Sequence, residues 1–420
     1  MNGVGMILFI LFLFTPFFIS AYHLGIEAIP ESFYQNIKND PSMRIGMFTN
    51  QTGLNHKGER SIDMLYKRGV PITVIFVPEH GLTGAVVAGQ TVEDSVDATT
   101  GIPVKSLYKK GMGVVLDQEN ADPVTAIIVD IQEVGMRHYT YSITLLQLMK
   151  AAQKLHKKVI ILDRPNIVSG VVEGPLVDSE FSSKFISLAP IPLRHGLTIG
   201  ELARYFNTYA LESPVDLEVI PLKQYVRTQK ANPLLAPLSP YLPTLKSCYG
   251  YSFLGLLGEV RPFDVGLGTR HPFRVIGLPE PSAFGEKQWI EVSCLLAHCG
   301  IKSIAYSYYS ERKKKQYRGL LLKPKCAQEM YSFKALYQLL FYAKKNELPL
   351  VFTEQFDRAI GTQLFRAAVE GSISCKEFEQ SIQKGLTSFI ERVSPFLLYG
   401  PLLVHYDLCR HKETTNIINK

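Results

Sequence analysis

Four short apolar runs in the first half of the chain, each followed by a polar cluster, constrain the fold more than any other feature. The runs occupy residues 44–49, 74–77, 126–129 and 159–162. They show no alternation, which is typical of strands buried on both faces in a parallel sheet covered by helices. Ligands bind beyond the carboxyl ends of such strands. One sheet edge is therefore predicted to gather these residues: Asn50, Glu79, His80, Asp130, Glu133, Asp163 and Arg164.

Strands and helices alternate from Gly25 to about Leu222. Helical spacing predicts helices over residues 61–66 and 143–155, and a capping box of Thr198 with Glu201 opens a third helix. Residues 217–220 are predicted to form a later strand. This order indicates an α/β fold, a Rossmann-like parallel sheet sandwich with right-handed crossovers.

The pattern changes after a proline-rich segment, residues 232–243, which is predicted to be extended and to lie at a domain boundary. Beyond it we predict strands over 304–309 and 319–322, and helices over 333–345, 357–370 and 376–392. Residues 25–243 are thus predicted to form the Rossmann-like catalytic domain, and residues 244–420 a smaller C-terminal α+β domain that completes the cleft.

The bulk composition describes an ordinary globular protein. Of 420 residues, 46% are hydrophobic and 20% charged, with a net charge of +7. The basic residues are scattered except at 313–315, where a solvated turn is favoured over a nucleic-acid patch. We therefore predict no nucleic-acid partner.

The N-terminal residues 1–21 are predicted to be a secretory signal. Residues 6–20 are almost entirely apolar but too short for a comfortable membrane span, and Ser20 and Ala21 are small residues suited to cleavage. No Lys or Arg precedes the apolar stretch, so an uncleaved membrane anchor remains the alternative. The prediction is an exported, periplasmic protein that touches the membrane only through an uncleaved N-terminus.

Several classes of cofactor site are disfavoured by the sequence. It contains no G-x-G-x-x-G after the first strand, no P-loop, no G-x-S-x-G and no His-Glu-x-x-His pattern. His80, Asp130 and His195 would hold a metal only if folding brought them together, so neither a metal nor an organic cofactor is predicted. The six cysteines lie in the second half, where burial is favoured and one or two disulfides would suit export.

Glu79 is the first candidate for a catalytic carboxylate. It follows a buried strand, where partial desolvation suits a general acid, although a turn or N-cap acid is an equal alternative. His80 would orient Glu79 or bind substrate.

The loop of residues 130–141 is the second candidate. Asp130 and Glu133 are acids, and Arg137 would either grip a carboxylate or lock the loop by pairing with one of them. Tyr139 and Tyr141 would stack on a sugar or pack in the core. Arg164 belongs to a further polar cluster and is expected to pair with Asp163. Three more candidates lie in glycine-containing loops: Glu173, Arg194 and His195.

Together these motifs resemble the bacterial exo-β-N-acetylmuramidase family, glycoside hydrolases that act on peptidoglycan fragments. The matching runs lie at residues 49–53, 78–81, 130–135, 137, 139–141, 162–166, 173–175 and 194–202, and they are specific together although no single run is. The resemblance implies release of terminal N-acetylmuramic acid from glycan or muropeptide fragments in a cleft between two domains. It also implies that Glu79 is catalytic, and that Glu259 belongs to the site.

The chain departs from that family at several positions. Thr83 stands where the family usually has arginine, Tyr241 replaces an expected asparagine, and Val265 and Leu267 replace a glutamate and an arginine. These changes would remodel the wall of the cleft formed by the second domain. A muropeptide-binding protein without turnover, derived from the same fold, is therefore the alternative.

The predicted mechanism is that of a glycosidase with two carboxyl groups. Glu79 would protonate the leaving oxygen, while Asp130 or Glu133 would act as base, nucleophile or electrostatic stabiliser. The acetamido group of the substrate could also assist. Three arginines are candidates for the lactyl carboxylate of muramic acid: Arg137, Arg194 and Arg270.

Overall fold

A computed structural model describes residues 22–86, 90–109, 113–114, 124–181, 189–229 and 232–409. The predicted signal segment, residues 1–21, lies outside the described residues. No described helix is both long enough and apolar enough to cross a membrane.

The strands and helices follow one another in a largely alternating order. The strands are β1 (Ile45–Thr49), β2 (Ile72–Val77), β3 (Ser95–Val96), β4 (Pro103–Ser106), β5 (Tyr108–Lys109), β6 (Gly113–Val114), β7 (Ala126–Asp130), β8 (Lys158–Leu162), β9 (Val171–Glu173), β10 (Leu217–Ile220), β11 (Val260–Arg261), β12 (Val275–Pro279), β13 (Ser303–Ser310), β14 (Lys315–Leu322), β15 (Val351–Phe352) and β16 (Leu403–His405). The helices are α1 (Gly25–Ala28), α2 (Glu31–Asn39), α3 (Ser61–Lys67), α4 (Thr140–Lys154), α5 (Ile199–Tyr209), α6 (Leu245–Leu257), α7 (Glu286–His298), α8 (Ser332–Lys345), α9 (Glu354–Ile360), α10 (Leu364–Glu370) and α11 (Cys375–Val393).

The central sheet has the strand order β10-β8-β7-β1-β2-β4-β3. Its pairings are parallel except for that of the short edge strand β3 with β4. The chain builds outward from β1 through β2 to β4, and then continues on the other side of β1 with β7. Successive strands are therefore added on one side of β1 up to β4 and on its other side from β7 onward. The boundary between β1 and β7 is the switch point, where ligands bind in such folds.

Both faces of this sheet are buried, as the unbroken apolar runs predict. On β2, Val74 and Phe76 pack into one core cluster, while Ile75 and Val77 pack into another on the opposite face. Helices α4 and α5 cover the first face, and helices α1 to α3 cover the second. The three-layer α/β sandwich is confirmed.

Helix boundaries in the first half follow local signals. Helix α5 begins after Thr198, whose side chain accepts a hydrogen bond from the Glu201 backbone, and Glu201 bonds back to the Thr198 backbone. This is the predicted capping box, which satisfies two backbone donors at the helix start. Helix α4 begins at Thr140, three residues before the predicted start.

The second half is built around a three-stranded antiparallel sheet, β12-β14-β13. The helix predicted over residues 357–370 is wrong in one respect, because it is two helices, α9 and α10. Gly361 ends α9 with a φ of 74°, a left-handed conformation that glycine adopts readily. A disulfide joins Cys375 to Cys409, and the other four cysteines are free.

The end of the described chain returns to the first half. Strand β16 pairs in parallel with β9, and Cys409 near it is tied to α11 by the disulfide. The helix α6 and the small sheet border the carboxyl edge of the central sheet, so residues distant in sequence meet there.

Candidate active site

The parallel register brings the polar clusters to one edge of the central sheet. Thr49 at the end of β1 lies beside Asp130 at the end of β7, and β2 runs parallel to β1 on its other side. Asn50 and Glu79 follow these strand ends directly. The structure thus brings the predicted residues to the carboxyl edge of the sheet, although they differ greatly in burial and in their bonding partners.

Glu79 sits in a turn at the end of β2 and is partly exposed. The Gly81 backbone N–H donates to the Pro78 carbonyl at 3.1 Å, which closes the turn. The Thr140 hydroxyl, at the start of α4, donates to Glu79 Oε2 at 3.3 Å. This neutral donor helps to orient the carboxyl group.

His80 supports this turn from inside. Its φ is 76°, an unusual value for a residue with a side chain, and its Nδ1 lies 2.6 Å from the Val86 carbonyl oxygen. That contact requires a proton on Nδ1. With only 7% of its surface exposed, His80 positions the Glu79 turn and contacts little solvent.

Asn50 and the two tyrosines form a polar wall behind the rim. Asn50 Nδ2 donates to the Tyr141 hydroxyl at 2.7 Å, and Asn50 Oδ1 accepts from the Thr52 backbone at 2.9 Å. The Tyr139 hydroxyl donates to the Leu238 carbonyl at 3.1 Å. Tyr141 is fully buried and Tyr139 is nearly so, which leaves no ring face for stacking on a sugar.

Asp130 is part of a buried ion pair. Arg164 donates through Nε at 2.5 Å and through Nη2 at 2.9 Å, and the Ser61 hydroxyl also bonds to the carboxylate. Arg164 therefore pairs with Asp130 rather than with Asp163, contrary to the expectation from sequence. Because Asp130 has no exposed surface, it is placed to hold strand ends together and not to meet a substrate.

Asp163 is also a structural carboxyl group. It accepts hydrogen bonds from the Thr198 hydroxyl at 2.9 Å, the Gly200 backbone at 2.7 Å and the Tyr399 hydroxyl at 2.5 Å. Burial raises the pKa of this carboxyl to about 7, against the effect of these donors. Asp163 thus joins β8 to the start of α5 and to the C-terminal end of the chain.

Glu133 and His195 face each other in the interior. Glu133 Oε2 accepts from the Gly135 backbone, and His195 Nε2 lies 4.0 Å from the same oxygen. Burial raises the pKa of the Glu133 carboxyl well above its usual range, and burial lowers that of His195 to about 3. Burial therefore disfavours the charged form of both side chains, and an enclosed Glu133 is poorly suited to act as an anionic nucleophile.

Replacing Glu133 with glutamine is expected to change the pH dependence of stability. Between the usual pKa of glutamate and the raised pKa of folded Glu133, the folded protein keeps a proton that the unfolded chain loses. The free energy of unfolding of the wild type therefore falls by about 1.4 kcal/mol per pH unit in that range. Thermal unfolding of both proteins between pH 4.5 and 8 should show Glu133→Gln losing less stability. Parallel curves, matching those of the exposed control Glu212→Gln, would contradict this assignment.

Two of the three arginines predicted to bind a lactyl carboxylate are buried. Arg137 donates to four backbone carbonyls, including those of Pro175 and Ile360 at 2.8 Å. Arg194 pairs with Glu173 at 2.8 Å and donates to the Met330 carbonyl at 3.0 Å. The predictions that Arg137, Arg194 and Glu173 contact substrate are not supported, because these groups join the two halves of the chain internally.

The cleft wall from the second half contains residues that no sequence motif marks. Tyr251 on α6 is partly exposed, and its ring lies 4.8 Å from that of His138 and 5.0 Å from that of Phe273. Burial raises the pKa of the Tyr251 hydroxyl. Three acids also raise it, which places them within electrostatic range: Glu133, Glu79 and Glu259.

Glu259 is the second partly exposed carboxyl group of this cleft. The Thr353 hydroxyl donates to Glu259 Oε2 at 2.9 Å, an arrangement similar to that of Thr140 on Glu79. Glu79 therefore comes from the first half of the chain and Glu259 from the second, and a threonine hydroxyl orients each of them. Of the predicted arginines, Arg270 alone is exposed.

The proline-rich segment covers the switch point between β1 and β7. Gln51 Nε2 donates to the carbonyls of Pro237 and Leu238 at 3.0 and 3.1 Å. A cavity of about 70 Å3 remains beneath it, lined in part by Thr52, Gln132 and Arg164. Glu79 and Tyr251 do not line this cavity.

Within the described ranges, no group of three or more His, Cys, Asp or Glu side chains is arranged to hold a metal ion.

Comparison with known proteins identifies the family. A model of the N-terminal domain of exo-β-N-acetylmuramidase NamZ matches residues 45–246, and the corresponding C-terminal model matches residues 249–399. This chain belongs to the NamZ family. The peptidoglycan β-N-acetylmuramidase NamZ of Bacillus subtilis (strain 168) is 31% identical over 388 residues, covering 89% of this chain and 91% of that protein.

Solved structures of NamZ-like shape support the same grouping. Two DUF1343 family proteins from Bacteroides fragilis NCTC 9343 superpose with TM-scores of 0.78 and 0.73, at 26% and 27% identity. They cover 90% and 91% of this chain, and the matches span 99% and 100% of those chains. The shared fold therefore includes both halves that form the cleft.

Proposed function

We propose that this protein is an exo-acting glycoside hydrolase that releases terminal N-acetylmuramic acid from peptidoglycan fragments. Membership of the NamZ family supports the reaction. The catalytic roles are assigned from the solvent exposure of the candidate carboxyl groups. Among the three carboxyl groups that the sequence predicts to be catalytic, Asp130 and Glu133 are buried, whereas Glu79 borders the cleft.

Glu79 acts as the general acid. Its carboxyl proton passes to the glycosidic oxygen as the bond from that oxygen to the muramyl C1 breaks. Water then supplies the hydroxyl at C1 and gives up its other proton, which restores the acid form of Glu79. Thr140 and the turn containing His80 hold the carboxyl group in one orientation. Such positioning lowers the barrier, because little reorganisation is needed in the transition state.

Glu259 takes the second carboxyl role, in place of Asp130 or Glu133. It is partly exposed, belongs to the opposite wall of the cleft and is oriented by Thr353. A carboxylate there stabilises the positive charge that develops on the sugar ring. The acetamido group of the substrate remains the alternative nucleophile.

We also propose that the protein is exported. The apolar N-terminal stretch supports export, and so does the Cys375–Cys409 disulfide, since such bonds persist in oxidising compartments.

One assay tests the function and the location together. The full chain is expressed in a bacterial host, and the cytoplasmic and exported fractions are assayed with nitrophenyl N-acetyl-β-muramide and with the disaccharide of N-acetylmuramic acid and N-acetylglucosamine. We expect release of free N-acetylmuramic acid, mainly by the exported fraction. Tight binding of the disaccharide by purified protein without release would support a binding protein instead. Activity confined to the cytoplasm would contradict export.

A further inference from the structure

A loop rich in cations borders the cleft, and the mechanism above does not use it. This cationic loop, residues 266–274, contains Arg270, His271 and Arg274. Phe273 within it has a φ of 52°, a left-handed value that a bulky side chain rarely adopts. Surrounding packing must hold that conformation, and strained backbone of this kind is common at ligand sites.

The cationic loop runs from the cleft to the small antiparallel sheet. The Phe273 ring lies 5.0 Å from that of Tyr251, and the Tyr251 ring lies 4.8 Å from that of His138, two residues before the Thr140 that donates to Glu79. The His271 ring lies 5.6 Å from that of Tyr306 on β13. Arg270 directly precedes His271 and is exposed. A ligand that starts beside Glu79 and leaves the cleft past Phe273 would meet the loop.

The positive charge of the loop is not balanced by the acid next to it. Asp264 accepts from the Tyr308 hydroxyl at 2.5 Å and pairs with Lys313 at 2.8 Å. Burial lowers the pKa of His271, and three cations lower it further: Arg274, Arg270 and Lys323.

Arg274 is the cation of the loop with a buried, unpartnered donor. Its side chain is half-buried, and burial lowers its pKa. Its Nε is buried and has no hydrogen-bond partner among the described residues. An unsatisfied guanidinium donor in a partly dry setting is costly unless a ligand completes it. Carboxylates fit this role, since guanidinium groups bind them through paired hydrogen bonds.

We propose that the cationic loop is a subsite for a carboxylate on the leaving-group side of the substrate, bound by Arg274 and Arg270. The inference rests on the proposed function and extends it to substrate choice. In an exo-acting enzyme the terminal sugar lies at the catalytic acid, and the rest of the chain extends away from it. The next carboxylate comes from the lactyl group of a second muramyl residue, or from a peptide attached to that residue. Substrates carrying such a group bind more tightly than the disaccharide.

The test compares KM for three substrates: the disaccharide, the trisaccharide with a second muramyl residue, and the same trisaccharide carrying a peptide on that residue. We expect wild-type KM to be about tenfold lower for whichever trisaccharide presents its carboxylate to the loop. A preference for the free trisaccharide identifies the lactyl group, and a preference for the peptide form identifies the peptide.

Variants of the two arginines complete the test. Arg274→Gln and Arg270→Gln should each bring the KM ratio between trisaccharide and disaccharide close to one. The control Arg318→Gln, an exposed arginine on β14, should keep the wild-type ratio. Because Arg270 is exposed, its variant is expected to fold normally. Equal KM values for all three substrates in the wild type, with hydrolysis of each, would overturn the subsite but not the function. Absence of hydrolysis of every sugar would contradict the function itself.

Discussion

The Glu79→Gln variant is expected to lose about 10³-fold in kcat on the disaccharide, because glutamine keeps the shape of the side chain but has no acidic proton to give. The loss should be at least about tenfold smaller on nitrophenyl N-acetyl-β-muramide, since nitrophenolate leaves readily without protonation. Parallel assays of both substrates at saturating concentration measure the difference. That difference separates a general acid from a nucleophile, whose removal would slow both substrates alike.

Two further variants define the roles in the cleft. Glu259→Gln should slow both substrates by a similar factor, because charge stabilisation on the sugar ring is needed with either leaving group. The exposed residue Glu212 provides a matched control, and Glu212→Gln should retain wild-type kcat on both substrates.

Wild-type turnover of the disaccharide by Glu79→Gln would remove Glu79 from the mechanism.

Replacing Asp130 with asparagine is expected to cost about 3–5 kcal/mol of stability, because Arg164 would keep its charge in the interior without a partner. Both side chains have little or no exposed surface, and the pair joins the ends of β7 and β8. The thermal unfolding midpoint should therefore fall substantially. Below that midpoint, kcat on the disaccharide should remain within a few-fold of wild type.

The double variant Asp130→Asn with Arg164→Gln provides the control for this pair. Removing both charges avoids a lone buried cation, so its stability should exceed that of the single variant. A single variant that unfolds at the wild-type temperature yet has lost turnover would show that Asp130 is catalytic. That result would reverse the assignment of the second carboxyl role to Glu259.

The central sheet and its polar rim follow from short-range sequence signals. Unbroken apolar runs predict strands covered on both faces, and Ile75 and Val77 indeed pack opposite Val74 and Phe76. Thr198 and Glu201 predict the start of α5, because a capping box is a contact between residues three apart. Gly361 was the signal that could have divided the helix predicted over 357–370, since glycine often ends helices.

The sequence could not predict which side chains at the carboxyl edge of the sheet are buried, or which partners they bind. The sequence suggests Arg137 and Arg194 as binders of a substrate carboxylate, but their donors meet partners inside the protein, including the distant carbonyls of Ile360 and Met330. Arg164 likewise pairs with Asp130 across neighbouring strands instead of with its sequence neighbour. Such partners depend on strand order and on the second half of the chain.

The sequence by itself determined the class of fold, the position of Glu79 at the end of a buried strand, and the family motifs around it. These depend on residue periodicity and on neighbours a few positions apart. Only the tertiary structure decided that Asp130 and Glu133 are enclosed and that Glu79, Glu259 and Tyr251 are partly exposed. The physical reason is that exposure and charge pairing depend on which distant segments pack together, and no local pattern encodes that.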